Sequence, residues 1–127
     1  MSTEVDSMIP VSEFRNVLLS TLEEASTNVH GFFLDKGTSL FETLAGISAV
    51  EASTPLGPGS GTIAAKVDHI RFYFDVVLTN AKAGEYVPAD WESSWSVNVV
   101  DDSEWQELVE RLRLSIRRLT NPSWSWR

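Results

Sequence analysis

The sequence contains no cysteine. This absence excludes disulfide bonds, thiolate nucleophiles and cysteine-ligated zinc or iron–sulfur sites. Positive charge is also scarce, because 10 lysine and arginine residues stand against 18 aspartate and glutamate residues and give a net charge of -8. Such a surface repels phosphate backbones and anionic lipid headgroups. We therefore expect neither a nucleic acid nor a membrane as a partner.

Long apolar runs are missing as well, and no stretch of about 18 apolar residues is present to span a membrane. The first ten residues, MSTEVDSMIP, carry two acids and no base, unlike a secretory signal. We therefore expect a cytoplasmic protein. A chain of 127 residues is long enough for one compact domain. We expect a single domain over residues 1–127, with a flexible N-terminus at 1–9 and a C-terminal tail at 121–127.

Apolar residues recur with helical spacing in four regions, and this pattern predicts an all-α bundle. The first helix begins at Pro10 and continues to Ala25. Two short helices follow between residues 39 and 53, each opened by a Ser-x-x-Glu capping box. A long third segment runs over residues 62–82 up to Gly84, which can end it, and a last helix opens at residues 101–103. The predicted core residues are Leu18, Leu44, Ile70, Phe74, Leu108 and Leu112.

The third segment has two apolar faces. Between them, the positions of Asp68, Arg71 and Asp75 predict a solvated ladder of ion pairs at i, i+3 and i, i+4 spacing. His69 lies on the second, partly buried face with Lys66 and Tyr73 near it. We therefore expect Lys66 and Tyr73 to line any cleft beside this histidine.

Four stretches together resemble the DinB/YfiT-like superfamily, in the order found in that family and over roughly residues 12–120. They are FLDKGTSLFETLAGISAVEA at residues 33–52, TIAAKVDHIRFYFDVV at 62–77, DWESSW at 90–95 and SEWQELVERL at 103–112. The resemblance implies an up-down-down-up four-helix bundle, commonly dimeric, whose members often bind a divalent metal through three histidines. Some members act as thiol-dependent transferases or hydrolases.

The resemblance assigns a metal-ligand position to His69 alone. The family's other two histidines usually form an H-x-x-x-H pair on the final helix, and this sequence has no counterpart of that pair before it ends at Arg127. Because a catalytic zinc site needs three protein ligands, we expect no cofactor in the isolated chain. Zinc or nickel would bind only if a partner completed the site. Apart from His69, the only histidine is His30, which is expected in a loop beside a helix end.

Two functional hypotheses remain open. The favoured one is a non-catalytic or degenerate DinB-like bundle that acts by binding a ligand or a partner. The alternative is a metal-dependent, thiol-linked transferase or hydrolase acting on a small molecule. With the last helix short or missing, one groove along the third segment would lack its usual cover. We therefore expect a homodimer whose interface lies at Phe72, Val76, Trp124 and Trp126.

Overall fold

The computed structural model describes residues 8–31 and 34–121. These ranges contain five α-helices, one short 3-10 helix at Ser93–Trp95 and no strand, which confirms the all-α prediction. The helices are α1 (Val11–Ser26), α2 (Leu40–Ala45), α3 (Ala49–Ala52), α4 (Ile63–Ala83) and α5 (Asp102–Thr120). None of the described helices is both long and apolar enough to cross a membrane. The chain forms two compact units, residues 1–46 and residues 47–127.

The first unit pairs the long helix α1 with the short helix α2. Pro10 is the N-cap residue of α1 and thus lies one position before the helix. Leu18, which we expected in the core, is exposed, and so is Phe14 one turn earlier. The core prediction for Leu18 is therefore wrong. Within this unit the six residues of α2 span about 9 Å, too little to cover the roughly 24 Å of α1.

Side-chain caps determine where most of the helices begin. Ser48 and Glu51 form the predicted capping box at α3, with both N···O distances at 3.1 Å. The box predicted at Ser39 is absent, because its hydroxyl donates to the Glu42 carboxylate and accepts no backbone N–H. At α5, Asp101 and Glu104 form a second reciprocal capping box.

The second unit is organised by the segment between α4 and α5, residues 85–100, which we name the return segment. The α4 helix ends at Gly84, whose φ of 72° places it in the left-handed region that glycine tolerates. Three hydrogen bonds then tie the return segment to the preceding chain, from Val87 N to Asn80 Oδ1 (2.8 Å), from Thr62 Oγ1 to Asn98 O (2.6 Å) and from Val100 N to Ser53 Oγ (2.9 Å). Since these contacts proceed from the end of α4 back to its start, α5 begins beside the N-terminus of α4. The two long helices therefore run in the same direction.

The core of this unit lies between α4 and α5. Leu108 and Leu112 are buried as predicted, as is Leu44 in the first unit. Ile70 and Phe74 are only half-buried, so their assignment to the core was too strong. At 100° per residue, the buried side of α4 is centred on Ala64, Val67 and Leu78, about a quarter turn from the face that carries Ile70 and Phe74. That rotation brings the charged residues of α4 to the buried side.

Candidate functional site

A groove of about 550 Å³ runs between α4, the return segment and α5. We name this cavity the groove. Its apolar walls come from Phe72 and Val76 on α4 and from Val87, Pro88 and Val97 on the return segment. Its charged residues are Asp68, Arg71, Asp75 and Arg111. Uncharged polar side chains, among them Asn80 and Ser96, also line the cavity, so its lining is polar and apolar in similar measure.

A polar network forms one side of the groove. Arg71 Nε donates to Asp68 Oδ1 at 2.9 Å, and Arg71 Nη1 donates to Asp75 Oδ2 at 2.9 Å. Asp75 Oδ1 in turn accepts a hydrogen bond from the Ser115 hydroxyl on α5 at 2.7 Å. The predicted pairing is therefore present, but the expectation of a solvated ladder is wrong. The side chains of Asp68 and Arg71 are only 4% and 15% exposed, because α5 packs over this side of α4.

The register between α4 and α5 places two arginines at the same level. The Ser115–Asp75 hydrogen bond sets the register between α4 and α5. Because the helices run in the same direction, Arg71 and Arg111, each four residues earlier, lie at the same level. Both line the groove. Arg111 is exposed and makes no ion pair with any described residue.

His69 lies in a separate cluster formed with the return segment. Its Nδ1 is 2.9 Å from the hydroxyl oxygen of Ser94, and that hydroxyl donates to the backbone carbonyl of Trp91 at 2.5 Å. A serine hydroxyl has a single proton, so it must accept from Nδ1–H. In neutral His69 the lone pair is then on Nε2, which forms no hydrogen bond within the described chain and is not sealed from solvent.

Exposed aromatic rings surround this histidine. The Trp95 ring stacks on the imidazole, with centroids 3.9 Å apart and planes inclined by 13°. Trp91 packs edge-on against Phe72 at 5.3 Å and tilted against Tyr73 at 5.8 Å. The imidazole is thus held by the Trp95 ring against its face and by the Ser94 hydroxyl at Nδ1.

The chemistry available to His69 is limited by this geometry. In the neutral ring Nδ1 carries the proton that it donates to Ser94, so it cannot remove the serine proton. Ser94 is therefore not an activated nucleophile, although it lies within hydrogen-bond distance of a histidine. Within residues 8–31 and 34–121, no group of three histidine or carboxylate side chains is placed to hold a metal ion. The other histidine, His30, lies in the first unit, where its Nε2 is 3.4 Å from Glu23 Oε2.

The remaining predicted site residues have different surroundings. Lys66 and Tyr73 are exposed, and neither lines the groove. Phe72 and Val76, predicted at a dimer interface, are half-buried on the groove wall. Trp124 and Trp126 lie outside the described residues.

Sequence reasoning did not single out Arg111, Ser115 or Ser94. A signal for Ser115 exists, because it is a polar residue in the middle of the apolar stripe of α5, between Leu112 and Leu119. Such a residue needs a buried partner, and α4 supplies it through Asp75. Nothing comparable marks Arg111, since its importance depends on the register between two helices.

No family model, curated protein or solved structure matched this chain in the comparisons.

Proposed function

We propose that this protein is a non-catalytic DinB-like helical protein that binds a small amphipathic molecule in the groove. The observation that carries the proposal is the hydrogen-bonded network of Asp68, Arg71, Asp75 and Ser115 along one side of a cavity that also has apolar walls. Such a network presents fixed polar groups to a ligand without reorganising on binding. Phe72, Val76 and Val97 offer apolar surface beside it.

The DinB-like assignment is supported by the chain path. An up-down-down-up bundle requires its second and third long helices to run in the same direction. The long return segment between α4 and α5 allows this arrangement, and its hydrogen bonds to Thr62 and Ser53 carry the chain back to the start of α4. A cytoplasmic location and a homodimer are further parts of the proposal. Because Phe72 and Val76 line the groove, a dimer formed through these residues would compete with the ligand.

Fragment binding observed by NMR tests the proposal. Neutral and charged fragments of fewer than 20 heavy atoms are added to 15N-labelled full-length chain, and amide shifts are mapped onto the sequence. We expect clustered shifts at Phe72, Val76 and Val97. Val76→Trp, which fills the cavity, should abolish them, whereas Val50→Trp on the exposed surface of α3 should not. Shifts centred on Trp95, or shifts unaffected by Val76→Trp, would overturn the assignment of the groove.

One observation favours the alternative of a metal-dependent, thiol-linked enzyme. The accessible lone pair on His69 Nε2 could serve as one metal ligand, with Nδ1–H held by Ser94 as is common for ligating histidines. At least one of the two further ligands would have to come from outside the described residues. Elemental analysis of the purified chain distinguishes the two functions directly.

A further inference from the structure

The groove contains more hydrogen-bond donors than its own acidic residues use. Arg71 donates through Nε and Nη1 to Asp68 and Asp75. Its Nη2 makes no hydrogen bond to a described residue and is not fully buried, in a side chain that is 15% exposed. The guanidinium of Arg111, at the same level on α5, is also without an ion-pair partner within the described chain.

Both oxygens of Asp75 and one oxygen of Asp68 already accept hydrogen bonds. Asp75 gives one oxygen to Arg71 and the other to Ser115. Asp68 is almost fully buried against Arg71. The charged groups left available for a ligand are therefore the Arg111 guanidinium and Nη2 of Arg71, together with uncharged polar side chains such as Thr79 and Ser96. Two guanidinium groups at one level can bind a carboxylate through several charge-assisted hydrogen bonds.

We propose that the groove selects a small organic carboxylate. Its carboxylate head binds Arg111 and Nη2 of Arg71, and its apolar body packs on Phe72, Val76 and Val97. This inference rests on the proposed function, since it names the ligand class of the same groove. Glu107, one turn before Arg111 on α5, forms no ion pair with it.

Three matched probes test the charge preference, 3-phenylpropionate, 3-phenylpropanamide and 3-phenylpropylamine. They share the phenylpropyl body and differ in the charge of the head. NMR titration of the full-length chain should give a dissociation constant for the carboxylate at least about tenfold lower than for the amide, the difference expected for one charged hydrogen bond. The amine should bind more weakly still. Raising the salt concentration should weaken carboxylate binding and leave amide binding unchanged.

Substitution of one exposed arginine separates ligand selection from folding. Arg111→Gln should remove most of the carboxylate preference, and Arg111→Lys should keep part of it. Arg117→Gln makes the same charge change on α5 outside the groove and should have no effect. Circular dichroism of each variant checks that the helices are intact.

The outcomes distinguish this inference from the proposed function. If carboxylate and amide bind equally and Val76→Trp blocks both, the groove is a ligand site but its selection of carboxylates is refuted. The same holds if the amine binds most tightly or if Arg111→Gln changes nothing. If no probe binds at millimolar concentration, and the fragments of the wider set do not bind either, both proposals fail.

Discussion

Replacing Arg71 by methionine would test whether the polar network stabilises the second unit. The substitution keeps an unbranched apolar side chain but removes the guanidinium between two carboxylates. One of these carboxylates, Asp68, is buried, so the variant leaves a buried charge without its partner. Removing one member of a buried pair destabilises proteins by about 3–5 kcal/mol. Because Arg71 is itself 15% exposed, we expect a loss of about 3 kcal/mol.

Partner substitutions should give graded effects. Asp75 is 37% exposed, so solvent screens its pairing with Arg71, and Asp75→Asn should lower the free energy of unfolding by only about 1 kcal/mol. The double variant Asp68→Asn/Arg71→Met lacks the Asp68 carboxylate and therefore has no buried charge without a partner at this position. That variant should be more stable than Arg71→Met alone by at least about 1 kcal/mol, which is direct evidence of coupling.

Urea unfolding followed by circular dichroism at 222 nm measures these differences. Arg118→Met serves as the matched control, since it removes an exposed arginine of α5 and should change stability by less than about 0.5 kcal/mol. Two results would refute the reasoning. One is an Arg71→Met variant whose free energy of unfolding falls by less than about 1 kcal/mol, against the expected loss of about 3 kcal/mol. The other is a double variant Asp68→Asn/Arg71→Met that is no more stable than Arg71→Met alone.

Four further predictions concern metal, pH, packing and assembly. Elemental analysis should find no stoichiometric zinc, nickel or iron; one metal per chain that is lost on His69→Ala would contradict this. Hydrogen bonds from Ser48 lower the pKa of Glu51, so the stability contributed by this carboxylate is present at neutral pH and lost as the pH falls through the lowered value. The melting temperature of Glu51→Gln should therefore differ from that of the parent near pH 6 and converge with it near pH 3. A difference in melting temperature that does not change with pH would contradict this contribution of the capping box. In urea titrations, Leu112→Ala should cost about 3–4 kcal/mol and half-buried Phe74→Ala only about 2 kcal/mol, and the reverse order would show that the face assignment is wrong. Sedimentation at micromolar concentration should give the mass of a dimer, and a stable monomer would remove the homodimer from the proposal.

Helix boundaries were largely predictable because they depend on local chemistry. The cap at Ser48, the left-handed glycine at 84 and the start of α5 near Asp101 each involve residues at most four positions apart. The exception at Ser39 is informative. Its hydroxyl can either accept the backbone N–H or donate to the Glu42 carboxylate, and the sequence pattern does not distinguish these two geometries.

The buried face of α4 was not predictable from apolar periodicity. The pattern treats Asp68, Arg71 and Asp75 as solvated, yet these residues neutralise much of one another's charge and lie under α5. This mutual neutralisation depends on side-chain conformation. It also depends on α5, where Ser115 binds Asp75 from 40 residues further along the sequence. The groove was missed for the same reason, because its charged residues had been assigned to solvent.

Stability alone does not account for charged residues at this position. Replacing a buried ionic group by well-packed apolar residues often leaves a protein equally stable or stabilises it. An apolar stripe on α4 would pack against α5 and would leave Arg111 as the charged residue of the groove. The network instead keeps the α4–α5 register through Ser115 and presents Nη2 of Arg71 beside Arg111. Arg71 is therefore needed for both folding and ligand selection, whereas Arg111, exposed and unpaired within the described chain, is needed for selection alone. The loss of carboxylate preference without loss of stability in Arg111→Gln is thus the result that separates binding from packing.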